Sequence, residues 1–358
     1  MLPIAHWTGC RSVSNLAGAA KNSRADRSAC NAELTRRNAL TTLVIGSGLI
    51  GSQVARILVE RGEKPILMDY AAQPQAISQI VDPTAVILIA GDVLRPLSIV
   101  DAVRTHGITK IVHTAANPLL TLGAQKEPYA AISLNVMGTV NVLEAARVTG
   151  LKRVVVSSSS VLNHYLEGGS DDGDFGKEEA FPRPTTFYAA TKQAVESLGL
   201  NYAKWCGIEF AGLRYGAAFG PWSGVGGGGP SNIVREAMHN ALTGKEATIP
   251  PGPMEWVYSK DAARGTVMAL DAEDLGSRVF NITMGSVTTA SEMAAAIEAT
   301  VPGAKVKFNA PAGTALALSN RDSGADLGRA KRYLGYEPQF KIHNALQDLC
   351  HWMKCFIA

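Results

Sequence analysis

Leu43-Val44-Ile45-Gly46-Ser47-Gly48-Leu49-Ile50-Gly51 decides how this chain folds. An apolar run leads into glycines at 46, 48 and 51, and Gln53 to Arg61 then has helical patterning. A second apolar run, Pro65-Ile66-Leu67-Met68, ends at Asp69. Strand, glycine turn, helix, strand and acid in that order describe a dinucleotide site. Gly46 permits the tight turn, and Gly48 leaves room for a pyrophosphate against the backbone. Gly51 lets the helix pack closely on the strand. Ile50, after Leu49, opens the expected helix, whose N-terminal N–H groups and partial positive charge suit phosphate. Asp69 can accept hydrogen bonds from ribose hydroxyls and would repel a 2′-phosphate, so the expected cofactor is NAD rather than NADP.

Working outward, short apolar runs alternate with helical periods. Strands are expected at 41–45, 65–68, 85–90, 110–114, 153–157, 209–214 and 279–282. Helices are expected at 50–61, 97–106, 133–149, 187–205, 231–243 and 291–300. Such alternation calls for an α/β fold, a Rossmann-type doubly wound parallel sheet, with ligands outside the carboxyl ends of the strands. Asp69, Asp92, Val93, Ala115, Ala116 and Ser157 to Ser160 fall at those ends. From about Gly216 the texture changes, and Gly224 to Gly229 is too glycine-rich for the interior of any element. The organisation expected is an N-terminal extension over 1–39, a nucleotide-binding domain over 40–215, and a smaller C-terminal substrate-binding lobe over 216–358, some of whose segments return to the sheet.

The 358 residues are 46% hydrophobic and 18% charged, ample for a large core. A net charge of +3 without a basic, aromatic-interleaved stripe argues against nucleic acid. Five cysteines without a C-x-x-C and seven scattered histidines predict neither a disulfide framework nor a metal site. No apolar run is long enough for a bilayer, so no membrane partner is expected. The Arg- and Ser-rich first 39 residues read as a flexible extension or an early start codon on a cytoplasmic protein, with an organelle presequence as the alternative. A twin-arginine signal at Arg36-Arg37 is rejected, because its apolar segment is also the first strand and the glycine turn.

Tyr188 and Lys192 lie four apart in a helical stretch, one turn from each other on one face. A free phenol titrates near ~10, and an adjacent ammonium favours the phenolate. Lys192 is therefore expected to lower the Tyr188 pKa and to hold a ribose. Upstream, Val154-Val155-Val156 runs into Ser157-Ser158-Ser159-Ser160, where a hydroxyl can bond a substrate oxygen. Alone, each feature is an ordinary surface pair or turn signal. Glycine turn, strand-end serines and Tyr–Lys helix agree in order and spacing.

With these residues in place, the chain from about Thr41 to Trp352 resembles an extended short-chain dehydrogenase/reductase of the NAD-dependent epimerase/dehydratase family. His113-Thr114-Ala115-Ala116 resembles the strand end beside the cofactor, and Gly91-Asp92-Val93 the adenine contact. Asn135 to Ala146 is similar to the family's central helix. Leu213-Arg214-Tyr215 with Gly220-Pro221, Trp256 to Ala263, and Leu334-Gly335-Tyr336-Glu337-Pro338 are similar to later landmarks. The resemblance implies Tyr188 as acid/base, with Lys192 beside it. Ser159 is the preferred substrate-orienting hydroxyl and Ser158 a close second. Gly46, Gly48, Leu49, Ile50, Gly51, Asp69, Asp92, Val93, Ala115, Ala116, Asn135, Ser157, Tyr188 and Lys192 are the implied NAD contacts. Asn135 either supports a proton relay at the Lys192 end or packs the central helix. Ser160 and Val161 stand where dehydratases resemble one another in carrying an Asp-Glu pair, and Ala217-Ala218 where sugar-nucleotide epimerases carry Asn. The implied activity is hydride transfer to or from a secondary alcohol of a sugar, polyol or sugar-like small molecule. The alternatives are an epimerase with tightly held NAD and, less favoured, a non-catalytic NAD-binding scaffold. A homodimer through the helices at 133–149 and 187–205 is the implied assembly, and the substrate-pocket loops are expected at 119–126, 162–168 and 219–229.

Overall fold

Every strand expected for the central sheet is present in the computed structural model, which describes residues 41–116, 124–165, 178, 182, 184–309 and 323–356. The extension over 1–39 lies outside these residues, as do most of the loops expected at 119–126 and 162–168. The strands are β1 (Thr42–Ile45), β2 (Ile66–Asp69), β3 (Ile87–Ala90), β4 (Lys110–His113), β5 (Arg153–Ser159), β6 (Glu209–Tyr215), β7 (Ala217–Phe219), β8 (Ala247–Ile249), β9 (Met254–Tyr258), β10 (Arg278–Ile282), β11 (Val287–Thr288) and β12 (Val306–Phe308). Seven of them form one parallel sheet in the order β10-β6-β5-β4-β1-β2-β3. The chain moves outward from β1 to β3 and then returns to β4 on the other side of β1. That reversal opens a crevice between β1 and β4, the usual ligand position in such sheets.

The pleat explains why these strands read as continuous apolar runs. Val44, Leu67, Val112, Val155 and Ala211 enter one core, whereas Leu43, Ile66, Ile111, Val154 and Phe210 enter the other. The second core takes Ile99 and Val103 of the helix Pro96–His106, Val142 and Leu143 of Gly138–Thr149, and Val195 of Phe187–Cys206. The first takes Val54 and Leu58 of Leu49–Glu60, and Ala262 and Val267 of Ser259–Asp271. It continues without a break into Trp222, Trp256, Phe280 and Leu346.

Residues from 40 onward consequently form one compact unit. The 215/216 boundary marks a change of layer rather than a gap between cores, and β10 returns to the sheet beside β6. Beyond it, β7, β9 and β11 make a small sheet, and β8 pairs with β12. Phe219 sits edge-on to Trp256 and Tyr258, with ring centroids 5.5 and 5.3 Å away, so its expected place in a pocket loop gives way to a place in the core.

Two helices depart from their expected forms. The segment expected as one helix over 133–149 is a wide π-turn at Ser133–Met137 followed by the helix Gly138–Thr149, with Pro128–Ile132 preceding it. Thr139 Oγ1 donates to the Asn135 carbonyl inside that turn. The glycine run also feeds a helix earlier than expected. Gly226, Gly227 and Gly228 have φ of +96°, +86° and +88°, and the helix Gly228–Leu242 begins at the last of them. Glycine supplies the left-handed residues that this sharp entry requires.

Candidate active site

A crevice of about 970 Å³ runs along the carboxyl ends of β1, β2, β4, β5 and β6. Gly46 to Gly51 form its floor. Gly46 has φ +97°, and a Cβ there would lie 2.6 Å from the Ala115 backbone nitrogen. A Cβ on Gly51 would lie 1.8 Å from the Gly46 carbonyl oxygen, so only glycine lets the helix start against the turn. Thr114 ties the two together by donating from Oγ1 to the Gly46 and Ile45 carbonyls at 3.0 and 3.2 Å. Gly48 differs from both. A Cβ there would meet nothing within 4 Å, so its place faces open space. The helix Leu49–Glu60 begins at Gly48 with no side-chain cap and no acid in its first turn. Its leading N–H groups are thus left for an anion, and the cradle fits the pyrophosphate of a dinucleotide.

Asp69 stands at the end of β2 in the crevice wall. Its Oδ2 accepts from Ser47 N and Ser47 Oγ at 2.7 and 2.8 Å, and its Oδ1 accepts from Ala71 N at 2.9 Å. Three donors fix the carboxylate, and Oδ1 keeps a lone-pair direction for a ribose hydroxyl. Asp92, Val93, Ala115 and Ala116 also line the crevice. Asn141 Nδ2 holds the Val93 carbonyl at 2.8 Å, and Asp92 Oδ1 caps Leu94 N at 2.9 Å.

At the β5 end, Ser157, Ser158, Ser159, Tyr188 and Lys192 all reach the crevice wall. The structure separates the two candidate serines. Ser158 Oγ donates to Glu196 Oε1 at 2.5 Å and is 4% exposed. Ser159 Oγ accepts from Val161 N at 3.2 Å and lies in the crevice wall with the Tyr188 phenol, whose pKa it acts to lower. Lys192 Nζ donates to the Ser157 carbonyl at 2.9 Å and lies 5.9 Å from the centre of the Tyr188 ring. Thr186 caps the helix that carries both residues by accepting from Ala189 N at 3.3 Å.

The electrostatics differ from expectation in one respect. Burial pushes the Tyr188 phenol above its ordinary range, and the opposing influence is the Ser159 hydrogen bond rather than Lys192. The physical reason is that burial also drives Lys192 toward its neutral form, down to about 8, while its ammonium is spent on the Ser157 carbonyl. Below it, buried His113 is held neutral, with a pKa near 3, first by burial and then by the Lys192 charge. Asn135 does not line the crevice. It is 3% exposed, and its Nδ2 donates to Thr191 Oγ1 at 3.1 Å, a packing position under the Tyr–Lys helix.

The loop expected at 219–229 reaches the crevice wall from Val225 onward, and its tie to Gln73, a strap across the β2 side, had no sequence signal. Gln73 Nε2 donates to the Val225 carbonyl at 3.0 Å and its Oε1 accepts from Val225 N at 2.5 Å, so one side chain pairs with one backbone residue as a neighbouring strand would. Arg235 Nη1 holds the same loop at the Trp222 and Gly224 carbonyls, 3.0 and 3.2 Å away. Val225 to Pro230 thereby form part of the crevice wall. Among the described residues no helix is long and apolar enough to cross a membrane.

Comparison with known proteins places this geometry in context. The sequence pattern of the NAD dependent epimerase/dehydratase family matches residues 42–283. An uncharacterised protein of Methanocaldococcus jannaschii is 29% identical over 261 residues, covering 71% of this chain and 74% of that protein. UDP-glucuronate 4-epimerase 4 of Arabidopsis thaliana is 24% identical over 356 residues, covering 91% of this chain and 78% of that one. Among solved structures, the L-threonine dehydrogenase of Cupriavidus necator superposes with a TM-score of 0.74 at 27% identity, covering 87% of this chain and 99% of that one.

Replacing the wall acid tests the cofactor end of the crevice. Asp69→Ala is expected to weaken NAD binding by about 1.5–3 kcal/mol, the usual worth of hydrogen bonds to a charged group, and to narrow the preference for NAD over NADP. Calorimetric titration with both nucleotides checks this, and an unchanged preference would count against the assignment.

Proposed function

The chain belongs to the NAD-dependent epimerase/dehydratase family, and on that footing we propose that it is an NAD-dependent oxidoreductase moving hydride to or from a secondary alcohol of a sugar, polyol or sugar-like small molecule. The observation that carries this reading is that Tyr188, Ser159 and Lys192 line one crevice whose other end is a glycine cradle. Bound NAD supplies the hydride acceptor or donor. The chain supplies the remainder. Gly46, Gly48 and Gly51, with the helix N-terminus at Leu49 and Ile50, hold the pyrophosphate. Asp69 takes ribose hydroxyls, Asp92 and Val93 flank the adenine, and Ala115 and Ala116 pack along the cofactor. Ser159 fixes the substrate oxygen by a hydrogen bond. Tyr188 gives that oxygen a proton in reduction or takes one in oxidation, and Lys192 steadies the nicotinamide ribose.

A phenol raised by burial stays protonated at neutral pH, so a proton is in place for reduction but the phenolate that oxidation needs is scarce. Oxidation therefore needs positive charge close to Tyr188, which stabilises the phenolate. Segments after residue 215, with Gly216 to Ala218, Val225 to Pro230 and Asn232 in the wall, supply the substrate end.

The strap favours a second reading, an epimerase that retains its cofactor through both hydride steps. Gln73 bridges two distant parts of the wall across the nucleotide side, which hinders exchange of a bound dinucleotide. The Arabidopsis relative is such an epimerase by name, whereas the Cupriavidus neighbour is a dehydrogenase. Net NADH formation on mixing with substrate and excess NAD distinguishes them: a dehydrogenase accumulates it and an epimerase does not.

A homodimer is part of the same proposal. Tyr129, Ile132, Met137, Leu200 and Trp205 are large apolar residues left exposed on the central-helix segments and the Tyr–Lys helix. Sedimentation at twice the chain mass is expected, and a monomer at micromolar concentration would reject it.

Replacing the phenol is the direct test of the chemistry. Tyr188→Phe is expected to keep NAD affinity and lower kcat by about a hundred to ten-thousand-fold. Ser159→Ala should fall in the same range and Ser158→Ala far less. Full turnover by Tyr188→Phe would overturn the proposal.

A further inference from the structure

Glu196 follows Lys192 by one turn on the helix Phe187–Cys206 and is 6% exposed. Its carboxylate accepts from Ser158 Oγ at 2.5 Å and from Arg214 Nε and Nη2, both at 2.9 Å. Arg214, on β6, is 2% exposed and continues through Nη1 to Asn163 Oδ1 at 3.0 Å. Asn163 Nδ2 in turn donates to Asn281 Oδ1 on β10 at 3.1 Å. This network fixes the carboxylate from three sides. A bidentate guanidinium pair allows little reorientation.

Lys192 stands in a different position. Its ammonium is buried, donates to one neutral carbonyl, and has no carboxylate at ion-pair distance among the described residues. The groups facing it are the Tyr188 phenol and Glu196 from its own helix, the Ser157 carbonyl from β5, neutral His113 from β4, and Arg214 from β6 behind Glu196. Of these, only Glu196 carries a negative charge at neutral pH. A cation kept out of water by burial needs such a charge, even one turn away, because the low-dielectric surroundings screen little.

We propose that Glu196 is a positioning residue that keeps Lys192 cationic during the reaction, and that Arg214 sets how much of the Glu196 charge Lys192 feels. The proposal rests on the role given to Lys192 above. It agrees with the balance at Lys192, where burial lowers the pKa to about 8 and Glu196 acts in the opposite direction. Ser158, on this account, serves the carboxylate rather than the substrate.

The two partners have opposite expected effects, which separates this role from plain structural support. Neutralising Glu196 leaves Arg214 unopposed near Lys192, and both changes favour loss of the Lys192 proton. Removing the Arg214 charge leaves Glu196 to Lys192 alone and favours keeping the proton. The direct readout needs no cofactor. Trace labelling of the free protein with acetic anhydride across pH, quantified by mass spectrometry of the Lys192 peptide, reports the fraction of unprotonated amine. Wild type is expected to show a midpoint near 8. Glu196→Gln should move it down by about one pH unit, a tenfold change in the free amine at a given pH. Arg214→Met should move it up, and Glu196→Asp should stay near wild type. The alkaline limb of kcat should follow the same order.

A midpoint shared by wild type, Glu196→Gln and Arg214→Met would overturn the proposal, whatever their melting temperatures. Should Glu196→Gln not fold, wild type against Arg214→Met decides on the same terms. Shifted midpoints in a protein that oxidises no alcohol would refute the oxidoreductase reading and leave the role of Glu196 standing. Unshifted midpoints in an active enzyme would refute only the role of Glu196.

Discussion

The placing of the Ser159 hydroxyl and the Tyr188 phenol together in one crevice wall is the constraint on which the rest of the site depends. It exists because β5 runs three residues past its apolar part and ends in hydroxyls, and because Thr186 starts the Tyr–Lys helix opposite that end. Burial makes the phenol a weaker acid than in water, while the serine acts the other way. The site is thus tuned against spontaneous ionisation and made to respond to charge brought in beside it.

The surrounding architecture serves this contact in two ways. Close packing fixes the cofactor end: Gly46, Gly51 and Thr114 leave no room for another atom, while Gly48 faces open space. Buried charge fixes the other end. Ser158, Glu196 and Arg214 form a rigid group behind the serines, and their surroundings are dry enough for each charge to matter. A buried ion pair of this kind adds little net stability compared with an apolar substitute, although breaking one side of it is costly. Its position beside Lys192 gives it a use beyond stability.

Much of this was legible in the sequence for simple reasons. Buried parallel strands must be apolar on both faces, so the inner strands appear as short continuous runs, and the half-exposed edge strand β3 is apolar as well. The glycine cradle is legible because only glycine tolerates those approaches. Tyr188 and Lys192 are legible by helical spacing, and Glu196 continues the same spacing, a signal that was present and not used. The choice between Ser158 and Ser159 was not legible. Neighbouring strand residues point to opposite faces, and a register known to within one residue leaves both open. The strap was hidden because Gln73 and Val225 are far apart in the chain and have no pattern in common. The raised phenol was missed for another reason: spacing reveals the neighbour that lowers a pKa but not the burial that raises it.

Burial restrains the Tyr188 phenol, and positive charge beside it, as bound oxidised NAD would bring, favours release of its proton. The phenolate absorbance of wild type minus that of Tyr188→Phe, titrated with and without saturating NAD, isolates this one group. The expected result is a midpoint above that of an ordinary tyrosine in the free protein and a clear fall when NAD is bound. A single midpoint in both states, or one already below the ordinary value without NAD, would contradict it.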